Sequence, residues 1–253
     1  MPPGVDRVRR MGYGTAFMAD AEGLVTYGYH FRLPNGTTRD ISVSLRRDTL
    51  SIVPQRPDPL PPWTRLTLHQ CPNCPLNEAE HPECPVAANL AGCIHAFGDI
   101  PSYERCDVRV EAPGRTYLKS AAVQSAVSPL VGLVMVTSGC PVLDRLRPMA
   151  DTHLPFMTED ESTYRLISMY LVAQYFRMRA GRSPDWDLAN LVEFFGELAK
   201  VNESFCKRLN ATGMSDATVN AVVILDTLRS MTGFSIQQDE LDRIERIFRS
   251  STE

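Results

Sequence analysis

The sequence predicts an α+β protein, and three observations lead to that class. Residues 24–54 alternate between apolar and polar side chains and are rich in residues that favour strands. Six of the seven cysteines lie between residues 63 and 150. From about residue 124 onward, apolar side chains recur at helical spacing. We therefore expect an N-terminal antiparallel β meander, a cysteine-rich metal-binding middle and a C-terminal bundle of about four helices.

Length and composition set the domain organisation. A chain of 253 residues, of which 43% are hydrophobic and 22% charged, can bury a sizeable core and is not mostly disordered. We expect one integrated domain with three parts. These parts are residues 1–62 (the β part with a proline-rich connector), 63–150 (the cysteine-rich region) and 151–253 (the helical part).

The β elements are bounded by turn signals. "LVTYGYHFRL" and "TTRDISVSL" flank the turn "PNG", and "RRDT" leads into "LSIVP", which together predict a three-stranded meander. The five prolines of "PQRPDPLPPW", from Pro54 to Pro62, predict a stiff, extended connector. Within residues 102–120, "YERCDVRVEA" and "RTYLKSAAV" around "PG" predict two further strands in the middle part.

Helix start signals recur in the last part of the chain. Thr158 and Glu161 form a capping box ahead of a helix that reaches about Arg179 and stops at Gly181. Further predicted starts are the pair Ser183 and Pro184, then Ser215, then the pair Ser235 and Gln238.

Charge and hydropathy exclude several partner classes. The net charge is −4 and no basic block is present, so we expect no binding to nucleic acid or to an anionic membrane. The most apolar stretch, residues 129–136, is far shorter than the roughly 20 residues that cross a bilayer. We find no secretory signal and expect a soluble, cytoplasmic protein. Thiols stay reduced there, and the odd cysteine count also argues against a disulfide framework.

Four cysteines share a feature that the other three lack. Cys71, Cys74, Cys84 and Cys140 are each followed by proline, whereas Cys93, Cys106 and Cys206 are not. With 19 prolines in 253 residues, four Cys-Pro pairs exceed chance. A metal-bound thiolate accepts hydrogen bonds from backbone N–H groups beyond the next residue, so proline fits at that next position.

These four cysteines form the candidate metal site. Cys71 and Cys74 have CxxC spacing and can reach one metal, and Cys84 and Cys140 complete a set of four thiolate ligands. "CPVAANLAG" and "CPVLDRL" both predict helix starts, where the helix dipole stabilises a thiolate. Sulfur ligation suits zinc or a 4Fe-4S cluster. Zinc is preferred because closed sites of four cysteines are common, although Pro75 stands where zinc knuckles need glycine.

Other interpretations of the cysteines stay open. The four thiols could be reduced and metal-free, or Cys71 and Cys74 could be a redox pair, although the expected βαβ setting is missing. Cys140 in "TSGCP" could be a nucleophile. His81 or His153 could replace a cysteine ligand or support one. The three remaining cysteines are expected to pack as apolar side chains.

The function predicted from these residues is a structural four-cysteine metal site in a binding, scaffolding or regulatory module. The metal would clamp residues 71–84 onto a helix that begins at Pro141. The alternative is an iron-sulfur or cysteine-dependent redox enzyme, and no residue identifies a reaction. Residues 217–228 carry one charge, at Asp226, which predicts central burial or a homodimer or protein partner through the C-terminal helices.

Several longer motifs resemble a bacterial protein family of unknown function. They are "LPPWTRLTLHQCPNCPL", "ECPVAANL", "VTSGCP", "HLPFMTEDESTYRLISMYLVAQYF" and "NAVVILD". The resemblance covers roughly residues 24–230 and implies a bacterial origin and a single integrated unit. It implies no catalytic residue.

Overall fold

The computed structural model describes residues 23–213, 216–237 and 241–252 and shows the predicted α+β class. Within these residues, two 3-10 helices, Pro62–Thr64 and Leu143–Ala150, lie in the connections. The strands and helices, in chain order, are β1 (Leu24–Arg32), β2 (Thr38–Arg46), α1 (Pro85–Phe97), β3 (Arg105–Ala112), β4 (Arg115–Ala122), α2 (Val123–Thr137), α3 (Glu159–Arg179), α4 (Ala189–Asn210), α5 (Ala217–Gln237) and α6 (Asp242–Thr252).

The four strands form one antiparallel sheet in the order β2-β1-β3-β4. The prediction of two strands within residues 102–120 is confirmed by β3 and β4, and β3 pairs directly with β1. A three-stranded meander over residues 24–54 is wrong, because the segment after β2 makes only the isolated bridge between Leu45 and Ile52. The third strand beside this hairpin is the distant β3, which pairs with β1 on the side opposite to β2. A separate cysteine-rich, metal-binding middle is therefore not supported by the architecture.

The core lies between one face of the sheet and the helices. Tyr27, Tyr29 and Phe31 alternate along β1 and are at most 2% exposed. Helix α2 is buried along most of its length because it packs between the sheet and α5. Ala221 and Val222 of α5 are fully buried. Burial of one face thus accounts for part of the low charge of α5, while Val223 is 47% exposed, and the homodimer stays a prediction.

Of the two helix starts predicted for α3 and α4, one is confirmed and one is wrong. The capping box of Thr158 and Glu161 is confirmed, and α3 ends at Arg179. A start at Ser183 and Pro184 is wrong, because α4 begins at Ala189. The carboxylate of Asp185 accepts hydrogen bonds from the Tyr170 hydroxyl at 2.6 Å and the Asn190 N–H at 2.9 Å, which holds residues 182–188 outside the helix.

The C-terminal helices also differ from the prediction. Helix α5 continues through Ser235, so that residue caps no helix, and α6 begins at Asp242. The predicted capping residues Ser215 and Gln238 lie outside the described residues. Among the described residues, none of the helices combines the length and apolar character needed to span a bilayer.

A buried polar pair joins the sheet to the segment before α3. The Tyr29 hydroxyl and His153 Nε2 lie 2.5 Å apart, and the Tyr27 hydroxyl donates to the Ala150 carbonyl at 2.9 Å. Burial, together with the nearby Arg165 charge, lowers the pKa of His153 to about 3. The imidazole is therefore neutral at neutral pH, and the folded state resists its protonation.

We predict an acid-dependent loss of stability that originates at His153. Its pKa lies below the ordinary value of 6.5, so the unfolded chain binds the proton more readily as the pH falls from 6.5 toward about 3. Wild-type protein should lose free energy of unfolding over this range, and His153→Gln should lose less. Denaturant titrations between pH 7 and pH 5 measure this, with His81→Gln, at an exposed position, as the control. Parallel pH profiles for wild type and His153→Gln would contradict the prediction.

Candidate metal centre

Cys71, Cys74, Cys84 and Cys140 line one small cavity of about 20 Å³. Cys71 and Cys74 lie in the irregular segment between β2 and α1, Cys84 directly precedes α1, and Cys140 follows α2. The remaining wall is largely apolar and includes Val201 and Phe205 of α4. Residues 71–84 and the distant Cys140 thus bring their thiols to one place.

The turn that carries Cys71 and Cys74 is attached to α4. The Cys74 N–H donates to the Cys71 carbonyl at 3.0 Å, which closes the turn. Asn73 Nδ2 donates to the backbone carbonyl of Glu197 at 3.1 Å and to its carboxylate at 2.7 Å. These contacts fix both cysteines relative to α4.

Cys84 is the N-cap of α1, and Pro85 is its first helical residue, which confirms the predicted helix start. The Cys84 N–H donates to the Thr64 carbonyl at 2.8 Å. The Thr64 hydroxyl donates to the Glu83 carboxylate at 2.6 Å. Cys84 therefore lies at the positive end of the α1 dipole, where negative charge on sulfur is stabilised.

The prediction that a helix begins at Pro141, directly after Cys140, is wrong. A 3-10 helix begins at Leu143 instead. Gly139 has φ of 89°, a conformation that favours glycine, and it turns the chain after α2. Burial raises the pKa of the Cys140 thiol, while hydrogen bonds from the backbone N–H groups of Leu143 and Val142 oppose the rise. These N–H groups are the donors that a thiolate at this position would use.

The thiols of Cys71 and Cys140 are desolvated, and each interacts electrostatically with the other cysteines of the cavity. Burial, with smaller contributions from Cys84 and Cys140, raises the pKa of Cys71 from 9.0 to about 11. Reactive nucleophiles and redox pairs need lowered thiol pKa values. The raised pKa values of Cys71 and Cys140 therefore disfavour both of those interpretations.

Arg208 is the functional candidate that the sequence analysis missed. Its side chain is 2% exposed, lines the cavity, and donates hydrogen bonds to the carbonyls of Trp63 (2.8 Å), Leu66 (3.1 Å) and Arg65. Burial lowers its pKa, and negative charge on Cys84, Cys71 or Cys74 would oppose that effect. Because Arg208 follows Lys207 near the end of an amphipathic helix, the sequence gives no sign that it points inward.

The thiols share a cavity but do not enclose a single ion. Among the residues that the structure describes, no group of three or more His, Cys, Asp or Glu side chains is arranged to hold a metal ion. A zinc site needs its four sulfurs at about 2.3 Å from one ion.

The other candidate residues lie elsewhere. His81 is exposed, and His153 lines a different cavity. Instead, His69 borders the cysteine cavity, with φ of 48°. Cys93 and Cys106 are buried in the core, and Cys206 is half-buried outside the cavity wall. The ligand set of Cys71, Cys74, Cys84 and Cys140 stays a prediction.

Fold and cavity together define an α+β protein whose cysteine-lined cavity is closed by a buried arginine. The chain belongs to the family described as Domain of unknown function (DUF6901), whose family model matches residues 25–249. Neither a curated protein nor a solved structure matches the chain. The family description agrees with the resemblance to a family of unknown function and names no activity.

We predict that Arg208→Met destabilises the fold by about 3 kcal/mol or more. The substitution keeps the aliphatic bulk but removes the Arg208 donor from the carbonyls of Trp63 and Leu66, while the Arg65 carbonyl keeps the Leu68 N–H at 3.2 Å. Hydrogen bonds to a charged group contribute about 1.5 to 3 kcal/mol each. Chemical denaturation measures the loss, and Lys207→Met, at the exposed neighbour, is the matched control. Equal stability of the two variants would show that Arg208 does not hold this region.

We predict a second, alkaline dependence for protein from which metal has been removed. The Cys71 pKa is raised in the folded state, so the unfolded chain loses its proton first as the pH rises from 9.0 to about 11. Stability should fall over that window, and the fall should be smaller in Cys71→Ala. Denaturant titrations of both proteins at pH 8 to pH 10.5 measure the difference. If the gap between the two proteins does not change with pH, the Cys71 thiol is not desolvated.

Proposed function

We propose that Cys71, Cys74, Cys84 and Cys140 bind a 4Fe-4S cluster that holds the irregular segment before α1 against the helices. One observation carries this proposal: four thiols from two remote parts of the chain, residues 71–84 and Cys140, line one cavity beside the buried cation of Arg208. A cluster held by four thiolates carries net negative charge. Arg208 and the N-terminus of α1 would both stabilise that charge.

The arrangement of the thiols favours a cluster over a single zinc ion. The four cysteines line one cavity, but among the described residues no three of them are gathered as ligands of one ion, which suits ligands spread over a cluster better. Zinc, which a set of four cysteines favours from sequence alone, is the second candidate. It requires the four sulfurs to move inward until they lie about 4 Å apart.

The role that follows is structural. When all four irons have a cysteine ligand, no coordination position is open for a substrate. The cluster would connect the turn of Cys71 and Cys74 to α1 and to the end of α2, and much of the stability would depend on it. We therefore propose a binding or regulatory module whose fold depends on its metal centre. Cytoplasmic location, bacterial origin and a homodimer through the C-terminal helices stay predictions.

Metal content decides between the candidates. Protein purified without oxygen should contain about four iron and four sulfide per chain and absorb near about 400 nm. Elemental analysis, sulfide assay and an absorption spectrum measure this. Colourless protein that contains one zinc ion per chain would show that the site binds zinc, the second candidate, and not a cluster. Protein that binds neither metal, also after reconstitution, would contradict the proposal.

The ligands are tested by single substitutions on the same protein. Cys71→Ser and Cys140→Ser should each lose the metal and several kcal/mol of stability, because metal binding contributes directly to folding. Cys206→Ser is the matched control: this cysteine is also half-buried but lies outside the cavity wall. If Cys206→Ser caused the same loss, the assignment of the four ligands would be wrong.

A further inference from the structure

A second and larger cavity, of about 340 Å³, lies between α2, α3, α5 and the 3-10 helix Leu143–Ala150. Its volume is within the range of small-molecule sites, which are mostly apolar with a few placed polar groups. Most of the lining side chains are apolar, among them Leu133, Leu146, Leu166, Leu198, Leu225 and Leu228.

Two cations border this cavity at the segment of residues 149–157. Lys119 of β4 has its Nζ 5.5 Å from the centre of the Phe156 ring. Arg165 of α3 donates hydrogen bonds to the Thr152 carbonyl and, at 3.3 Å, to the Met149 carbonyl. Both cations thus contact the segment of residues 149–157, while α4 and α5 contribute apolar side chains to the cavity wall.

Neither cation forms an ion pair with a carboxylate of the described residues. Glu161 is the acidic side chain whose charge acts on Arg165, but its carboxylate accepts the Thr158 N–H at 2.7 Å in the capping box. Burial lowers the pKa of Arg165, which reflects the cost of holding an uncompensated charge there. An anion entering the cavity would supply the missing negative charge.

The backbone at the cavity is strained at the residue beneath Lys119. Phe156 has φ of 65°, a conformation that costs free energy for a bulky side chain. Such strain clusters at ligand clamps and persists where the surroundings hold it. In this conformation the Phe156 ring lies in the cavity wall, next to the Lys119 ammonium group.

We propose that this cavity binds a small amphipathic anion, namely a carboxylate with a linear hydrocarbon tail. The carboxylate would lie between Lys119 and Arg165, and the tail would extend among the leucines of α4 and α5. Neutral His153, which also lines the cavity, adds a polar contact without adding charge. The proposal does not rest on the metal centre, because the two cavities have different walls.

Calorimetric titration of the full chain tests the proposal with decanoate and with decanol, which has the same tail and no charge. We expect decanoate to bind at about one site and at least about tenfold more tightly than decanol, because charged hydrogen bonds are lost with the alcohol. From hexanoate to decanoate, each added methylene should tighten binding by up to about fourfold.

Variants locate the site. Lys119→Gln and Arg165→Gln should each weaken decanoate about tenfold and leave decanol unchanged. Lys119 is exposed, so its variant keeps the fold even if loss of the Arg165 hydrogen bonds disturbs residues 149–157. Leu228→Trp should fill the cavity and abolish binding of both ligands. Arg32→Gln, at an exposed position on β1, is the control and should bind like wild type.

Four results would overturn the proposal. They are absence of decanoate binding, equal affinity for decanol, unchanged binding by Leu228→Trp, and unchanged decanoate affinity in Lys119→Gln. Vesicles of anionic phospholipid provide a further arm. If vesicles retained the chain while monomeric decanoate did not bind, the cations would serve a membrane surface and the cavity would not hold a free carboxylate.

Discussion

The hydrogen bonds from Arg208 to three backbone carbonyls are the constraint on which the cysteine region depends. Residues 47–84 connect β2 to α1 with one short 3-10 helix and isolated bridges, so much of this backbone lacks regular partners. Buried carbonyls need donors. Arg208 supplies them to Trp63, Arg65 and Leu66 and places its charge beside the thiols with the same contacts. The Arg208 side chain therefore contributes both hydrogen bonds that hold the backbone and a positive charge beside the thiols.

Helix α4 and the connection after α2 each contribute residues to the walls of both cavities. On α4, Val201 and Phe205 face the cysteine cavity, whereas Leu198 and Asn202 face the larger one. After α2, Val142 borders the first cavity and its neighbour Leu143 the second. A change in the position of α4 or of this connection would therefore alter both walls.

Sequence reasoning succeeded where the signal is local. The capping box of α3, the hairpin of β3 and β4 and the Cys84 start of α1 all depend on residues a few positions apart. The Cys-Pro pattern also selected the four cysteines that line one cavity. Failures occurred where distant residues decide the structure. The third strand beside the β1–β2 hairpin is β3, whereas "LSIVP" makes one bridge to β2. The hydrogen bond from Tyr170 of α3 to Asp185 overrides the start signal at Ser183.

The site itself could be predicted only in part for the same reason. Proline after cysteine can be counted along the chain, but the spacing of the thiols depends on how α1, α2 and the turn of Cys71 pack together. The inward direction of Arg208 depends on carbonyls far away along the chain, at a separation of 142 from Leu66. Such contacts have no local pattern, and the same holds for the cations around the larger cavity.

That separation has a consequence during synthesis on the ribosome. Cys71, Cys74 and Cys84 emerge from the exit tunnel long before α4 is translated, so nascent chains display these thiols while their charged neighbour does not yet exist. Domains of this topology close only after distant segments meet. The cavity can therefore mature only late in translation or after release, and until then its cysteines depend on the reducing capacity of their surroundings.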